Sequence, residues 1–163
     1  MDELAEIRSR LRRLEDERAI LRTLHAYGPA VDRADRDAYL DLWTEDAAFD
    51  SRGRNPGDVT RVVRGVEART DFIVHFSRPP VGWHQHQVVE PLIELDGDTA
   101  RVRSYFCVLR EEEEMPGVWV FGRYRDTLVR CPDGRWRFSE RIAEVESIDK
   151  RYGSLANRWP EPG

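Results

Sequence analysis

Apolar residues at Leu4, Ile7, Leu11 and Leu14, then Ile20, Leu21, Leu24 and Tyr27, recur at the three-and-four spacing of an amphipathic helix. Charged residues fill the intervening positions and predict a helix over 2–26. Gly28-Pro29 predicts an interruption, because Pro removes a backbone donor and clashes with the preceding turn. Asp35 is placed to cap a second short helix over 36–43, its carboxylate accepting from the free amides of the first turn. Residues 47–50 then read as a short strand, 51–60 as a loop carrying Asn55-Pro56-Gly57, 61–64 as a small strand and 65–77 as a third helix.

The second half has a different period. Segments 83–95, 99–110, 118–130 and 135–148 are rich in Val, Ile, Tyr, Phe and Trp. They are separated by Asp96-Gly97-Asp98, by a four-glutamate run with Pro116-Gly117, and by Pro132-Asp133-Gly134, all of which read as hairpin connections. Four consecutive long strands form an antiparallel meander, and the preceding helices must cover one of its faces, so the fold class is α+β. On the strand 99–110, Val102, Ser104, Phe106 and Val108 share one face and Arg101, Arg103, Tyr105, Cys107 and Leu109 the other. The first set is the better pocket lining. The expected organisation is one domain over 1–163, with 149–163 as a tail whose Tyr152, Leu155 and Trp159 either fold over a pocket or neighbour, or stay disordered.

Composition narrows the chemistry. The chain has 163 residues, 26 Lys plus Arg, 31 Asp plus Glu and a net charge of -5, enough length for one core without disulfides. Acidity with interspersed signs argues against a nucleic-acid groove, which needs a basic stripe. No apolar run is long enough for a membrane span and the charged start is no secretory signal, so the expected location is cytoplasmic, with neither nucleic acid nor membrane as partner. Cys107 and Cys131 form no CxxC, and Lys150 is the one lysine, so histidine and carboxylate chemistry is what remains to weigh.

The strongest local signal is Trp83-His84-Gln85-His86-Gln87. On a strand, His84 and His86 share a face. Three readings are open: a metal pair completed by Glu90, a catalytic base with a polar neighbour, or structural histidines satisfied by hydrogen bonds. No histidine follows His86 to complete a cupin-like set, and the expected metal and cofactor content is none.

A second signal is Tyr27-Gly28-Pro29-Ala30-Val31-Asp32-Arg33-Ala34-Asp35-Arg36-Asp37, followed by Leu42-Trp43-Thr44-Glu45-Asp46-Ala47. With His86 ahead of Ile93-Glu94-Leu95-Asp96-Gly97-Asp98-Thr99-Ala100, then Arg103-Ser104-Tyr105, Gly122-Arg123-Tyr124 and Gly134-Arg135-Trp136-Arg137-Phe138, the chain resembles the SnoaL-like branch of the NTF2-like superfamily, near its scytalone and bile-acid dehydratases. The resemblance implies an NTF2-like cone, a strongly curved, mainly antiparallel sheet wrapped around N-terminal helices, assembled as a homodimer or homotrimer. In the dehydratases an Asp near the end of the first helix pairs with a His on the strand that here holds His86, and a Tyr stands at the position of Tyr27. A polar catalytic position on the next strand falls near Val108 here.

The resemblance therefore implies a cofactor-independent lyase or isomerase, with dehydration favoured, in which His86 is the general base, Asp32 orients it and Tyr27 binds a carbonyl or leaving hydroxyl. The substrate is expected to be small, apolar and cyclic, lined by Trp83, His84, Ser104, Phe106, Val108 and Tyr124. The alternatives are a non-catalytic binding or assembly module of the same fold, a polyketide-type cyclase, and a metal enzyme using His84, His86 and Glu90. Blander roles also stand: Tyr27 as the last apolar residue of its helix, and Asp32 as a cap or a partner of Arg33 or Arg36. Residues five apart lie about 140° apart on a helix, so Tyr27 and Asp32 are expected to share a site only if the chain bends at Gly28-Pro29.

Overall fold

The computed structural model of the chain describes residues 3–53, 61–74, 83–112 and 115–148. Its elements are α1 (Glu3–Asp32), α2 (Arg36–Asp41), β1 (Trp43–Arg52), β2 (Arg61–Arg64), α3 (Gly65–Val74), β3 (His84–Asp96), β4 (Thr99–Glu112), β5 (Met115–Arg130) and β6 (Trp136–Ile148). The end of the third predicted helix beyond Val74, the Asn55-Pro56-Gly57 loop and the 149–163 tail lie outside the described residues. No helix among the described residues is long and apolar enough to cross a membrane.

The strands form one six-stranded sheet in the order β2-β1-β6-β5-β4-β3. The meander is as expected: β3, β4, β5 and β6 pair antiparallel in chain order. Gly97 makes the tight β3–β4 turn at φ +59°, a backbone angle that side-chain-bearing residues resist. The strongly curved cone is corrected: the sheet is open, with β2 and β3 as its two edges and no pairing between them among the described residues. It is mainly antiparallel, as expected, with one exception, β1 running parallel to β6. The physical reason is the route of the chain. A parallel pair needs a long crossover and cannot be closed by a local turn, and β1 reaches β6 only after β2, α3 and the whole meander have been laid down.

β1 is also longer than expected, and α2 ends at Asp41 so that Trp43 opens the strand. The ladder between β1 and β6 shifts register between Trp43 and Ala48. The carbonyls this frees at Thr44, Glu45 and Ala47 accept from the guanidinium of Arg69 on α3, which is why an arginine is buried there.

α1 departs from the expected break, running unbroken through Gly28-Pro29 to Asp32. Pro29 lies on the exposed side of the helix. The end is fixed by Asp35 N–H donating to the Ala30 carbonyl at 2.9 Å and Ala34 N–H to Val31 at 3.0 Å, with Ala34 at φ +48°. This is a Schellman termination with alanine where glycine is usual. Asp35 then caps α2 as expected, accepting from Ala38 N–H at 3.0 Å.

The core lies between the helices and one face of the sheet. It is built from Ile20, Leu24, Tyr27 and Val31 of α1, Tyr39, Trp43, Phe72 and Ile73, and the inward residues of β4, β5 and β6. The N-terminal half of α1 does not join it. Leu4, Ile7, Leu11 and Leu14, spaced as a core stripe, are all more than half exposed.

Candidate active site

At Gly28, α1 runs tightly against the backbone of β3. A Cβ built there would lie 2.5 Å from the carbonyl oxygen of His86. Only glycine lets the helix and the strand's backbone approach this far. Successive helical residues turn by about 100°, so Gly28 sits roughly 100° past Tyr27 and roughly 40° short of Asp32. The strand facing Gly28 therefore runs between those two side chains. The unbroken helix presents both to His86, without the interruption expected at Gly28-Pro29.

Asp32 holds His86 at two points. Its Oδ1 lies 2.5 Å from the ring Nδ1 and its Oδ2 accepts the backbone N–H of His86 at 3.0 Å. An ionised carboxylate can only accept, so Nδ1 carries a proton, and in the neutral form of the ring the lone pair falls on Nε2. Both side chains are largely buried, at 11% and 15% exposure, which shields the contact from competing water. Directly across the β3–β4 ladder from His86 is Val108.

Tyr27 stands edge-on to the His86 ring at 6.1 Å between centroids, and the rings of Tyr39, Trp43, Tyr124 and Phe138 stand around it at similar spacing. Burial pushes its hydroxyl pKa up to about 12, against the pull of the Arg141 guanidinium. At neutral pH it is a donor, not a phenolate. Burial likewise raises the hydroxyls of Tyr39 and Tyr124 well above their ordinary range.

Beneath these rings lies a charge pair that sequence reasoning missed. Arg141 and Asp126 are fully buried and joined by two hydrogen bonds of 2.8 and 2.7 Å. The guanidinium carbon lies 4.1 Å from the centroid of Tyr27, 4.0 Å from that of Tyr124 and 4.3 Å from that of Phe138. Burial alone would lower the pKa of Arg141, yet Asp126 beside it raises it, so the cation persists. Among the described residues Arg141 Nη1, Tyr39 Oη, Trp43 Nε1 and Ser104 Oγ have no hydrogen-bond partner. Asp126 was legible, as the one acid in the inward run Val120, Gly122, Tyr124, Asp126 and Leu128. Arg141 was not. Strict alternation from Trp136 and Phe138 puts Glu140 inward, but between Thr127 and Leu128 the β5–β6 register slips by one residue, and Arg141 turns inward instead.

The other expected residues divide. Ser104 is buried opposite Tyr124, and Phe106 stacks on Tyr124 at 4.3 Å, so both join the cluster. Val108 is buried and His84 is buried near Trp119, at 6.4 Å between rings. Trp83 is 60% exposed ahead of β3 and is not brought to the cluster. His84, His86 and Glu90 do not converge: Glu90 is exposed at φ +51° in a β3 bulge, and no group of three or more His, Cys, Asp or Glu among the described residues is placed to hold a metal ion. Glu144 and Glu146 turn outward and pair with Arg125 and Arg123.

A family model described as a SnoaL-like domain matches residues 12–142. No curated protein matches the chain. Among solved structures, an NTF2-like protein with a cystatin-like fold from Novosphingobium aromaticivorans is 28% identical, with a TM-score of 0.75, over 97% of this chain and 96% of that one. A candidate aromatic ring hydroxylase from the same organism is 28% identical, with a TM-score of 0.68, over 90% and 98%. A candidate scytalone dehydratase, also from Novosphingobium aromaticivorans, shares the fold at 22% identity, with a TM-score of 0.68, over 84% and 88%.

Proposed function

The chain belongs to the SnoaL-like family, and from that premise we propose that it is a cofactor-independent lyase or isomerase, with dehydration of a cyclic β-hydroxy ketone as its reaction. The observation that carries the reading is the Asp32–His86 contact, a carboxylate on Nδ1 that leaves Nε2 as a base. In this reaction His86 Nε2 takes the proton next to the carbonyl and the bonding pair moves onto the carbonyl oxygen as an enolate. The enolate then expels the neighbouring hydroxyl, which takes the proton back from His86 and departs as water. The enzyme ends as it began.

Tyr27, neutral and buried beside His86, donates to the developing enolate. Arg141, paired with Asp126 beneath the tyrosine rings, draws on the Tyr27 hydroxyl and would strengthen its donation to the developing negative charge. The interior donors on Trp43, Arg141, Tyr39 and Ser104 favour a ring that carries oxygens over a purely apolar one, since buried donors are costly unless an acceptor meets them.

A set of model substrates suffices for the test. A panel of cyclic ketones with and without a β-hydroxyl is incubated in D2O, and α-deuteration is followed by NMR and enone formation by absorbance. Turnover of at least one member is expected, with His86→Gln slower by about 10²- to 10⁴-fold and Asp32→Asn also impaired. Equal turnover by His86→Gln overturns the reading. Because Tyr27 titrates only near 12, its ionisation should not limit the rate at neutral or mildly alkaline pH, and Tyr27→Phe should lower the rate without moving the pH profile there.

A further inference from the structure

The N-terminal half of α1 carries an exposed apolar stripe. Residues 3–15 are exposed throughout, yet Leu4, Ile7, Leu11 and Leu14 repeat at alternating steps of three and four, the a and d positions of two heptads. The stripe stops at Arg18, the next a position, where the helix begins to pack on its own domain. At about 100° per residue, the stripe points to roughly the opposite side of the helix from Ile20, Leu24, Tyr27 and Val31, which face the core. It is therefore no extension of the core, because the domain lies behind it.

We propose that this stripe pairs with the same stripe of a second copy as a short parallel coiled coil. The flanking charges fit that occupant. In a parallel pair each g position faces the e position five residues on in the partner. Here Glu3 meets the partner's Arg8, and Arg10 meets the partner's Glu15, opposite charges at both places and on both sides of the twofold axis. Helical pairs Glu6–Arg10 and Arg13–Glu17, at 2.7 and 3.1 Å, hold the helix in form beyond the sheet. Because the stripe faces away from the domain, two domains would sit on the outer sides of the paired helices, clear of each other. The seam of four apolar side chains per copy is smaller than a standard interface of about 800 Å² per partner, so association is sought across the micromolar range.

Sedimentation velocity of the full chain from about 1 to 200 µM is the test. A concentration-dependent dimer is expected, and Leu11→Glu should weaken it by at least about tenfold with helical circular dichroism unchanged. Arg10→Glu and Glu15→Arg should each weaken self-association, and an equimolar mixture of the two should restore it as a heterodimer, since the swapped charges then face opposite signs. A monomer at all concentrations overturns the proposal, as does a dimer indifferent to Leu11→Glu. Failure of the mixture to restore association overturns the parallel pairing.

Discussion

The two halves of α1 follow one hydrophobic spacing and meet opposite fates. In the second half Ile20, Leu24 and Val31 are wholly buried against the sheet, and Tyr27 and Asp32 are carried to His86. In the first half Leu4, Ile7, Leu11 and Leu14 stand in solvent. Periodicity reports that a helix has an apolar side, and it is silent on whether anything lies against that side. What differs is the sheet: β3 and β6 lie beneath the second half, and Gly28 runs tightly against the His86 backbone of β3. The boundary falls at Asp16, where the Arg130 guanidinium and the Trp136 indole N–H fasten the helix to β5 and β6.

The largest effect expected from this contrast is in the packed half. Leu24→Ala removes a wholly buried side chain and should cost about 2–5 kcal/mol of unfolding free energy, read by urea denaturation. A cost below about 1 kcal/mol, roughly that of a surface change, would mean that α1 is not docked as described. Gly28→Ala comes next. Its Cβ collides with the His86 carbonyl, a backbone atom that cannot swing aside, so helix and strand must separate. About 1–3 kcal/mol should be lost, and because the separation also pulls Asp32 from His86, turnover should fall more than stability predicts. Equal stability with full activity would remove Gly28 as the reason for the site's geometry.

These two positions also show how far the sequence reaches. The four long strands and the turns at Asp96-Gly97-Asp98 and Pro132-Asp133-Gly134 were legible because alternation and turn residues are local signals, whereas Glu111, Glu112, Pro116 and Gly117, expected in a connection, are paired in the β4–β5 ladder. So were the Asp35 cap and the trio of Tyr27, Asp32 and His86, which the fold brings together. The parallel docking of β1 on β6 was not legible, because about 90 residues separate the partners and parallel pairing leaves no turn between them. Nor was Arg141, because a one-residue slip in the ladder reverses which face each side chain takes, and no local composition marks that slip. The unbroken passage of α1 through Pro29 was hidden for a related reason: the penalty of proline is visible in sequence, whereas the contacts of the helix end lie in Ala30, Val31, Ala34 and Asp35 acting together.

At the boundary, Asp16→Asn tests what anchors the helix where its two halves meet. Arg130 holds the Asp16 carboxyl below its ordinary pKa, with the Trp136 N–H assisting and burial opposing. A carboxylate whose folded pKa is depressed stabilises above its unfolded pKa, and that stabilisation is lost as pH falls through the folded value. At pH 7 the substitution should cost about 1.5–3 kcal/mol, the worth of hydrogen bonds to a charged group. Below about pH 4, the wild type should lose stability more steeply than the variant, so their denaturation midpoints converge. Parallel curves at every pH would assign the anchoring to packing alone.

The smallest effect belongs to the exposed half, and it sharpens the contrast most because it depends on protein concentration. Ile7→Ala removes apolar surface that the monomer already leaves in water, so at low concentration its unfolding free energy should stay within about 0.5 kcal/mol of wild type. Burial is what gives Leu24 its weight, and Ile7, more than half exposed, has little to lose within one chain. If the seam pairs two copies, association stabilises the folded state by mass action, and the wild-type melting temperature should rise with protein concentration. Ile7→Ala should flatten that rise while leaving the dilute value untouched. A substitution that is silent when the chains are apart and visible when they are crowded locates its contact between copies. The same substitution costing about 2 kcal/mol in dilute solution would instead place Ile7 in the core of its own chain.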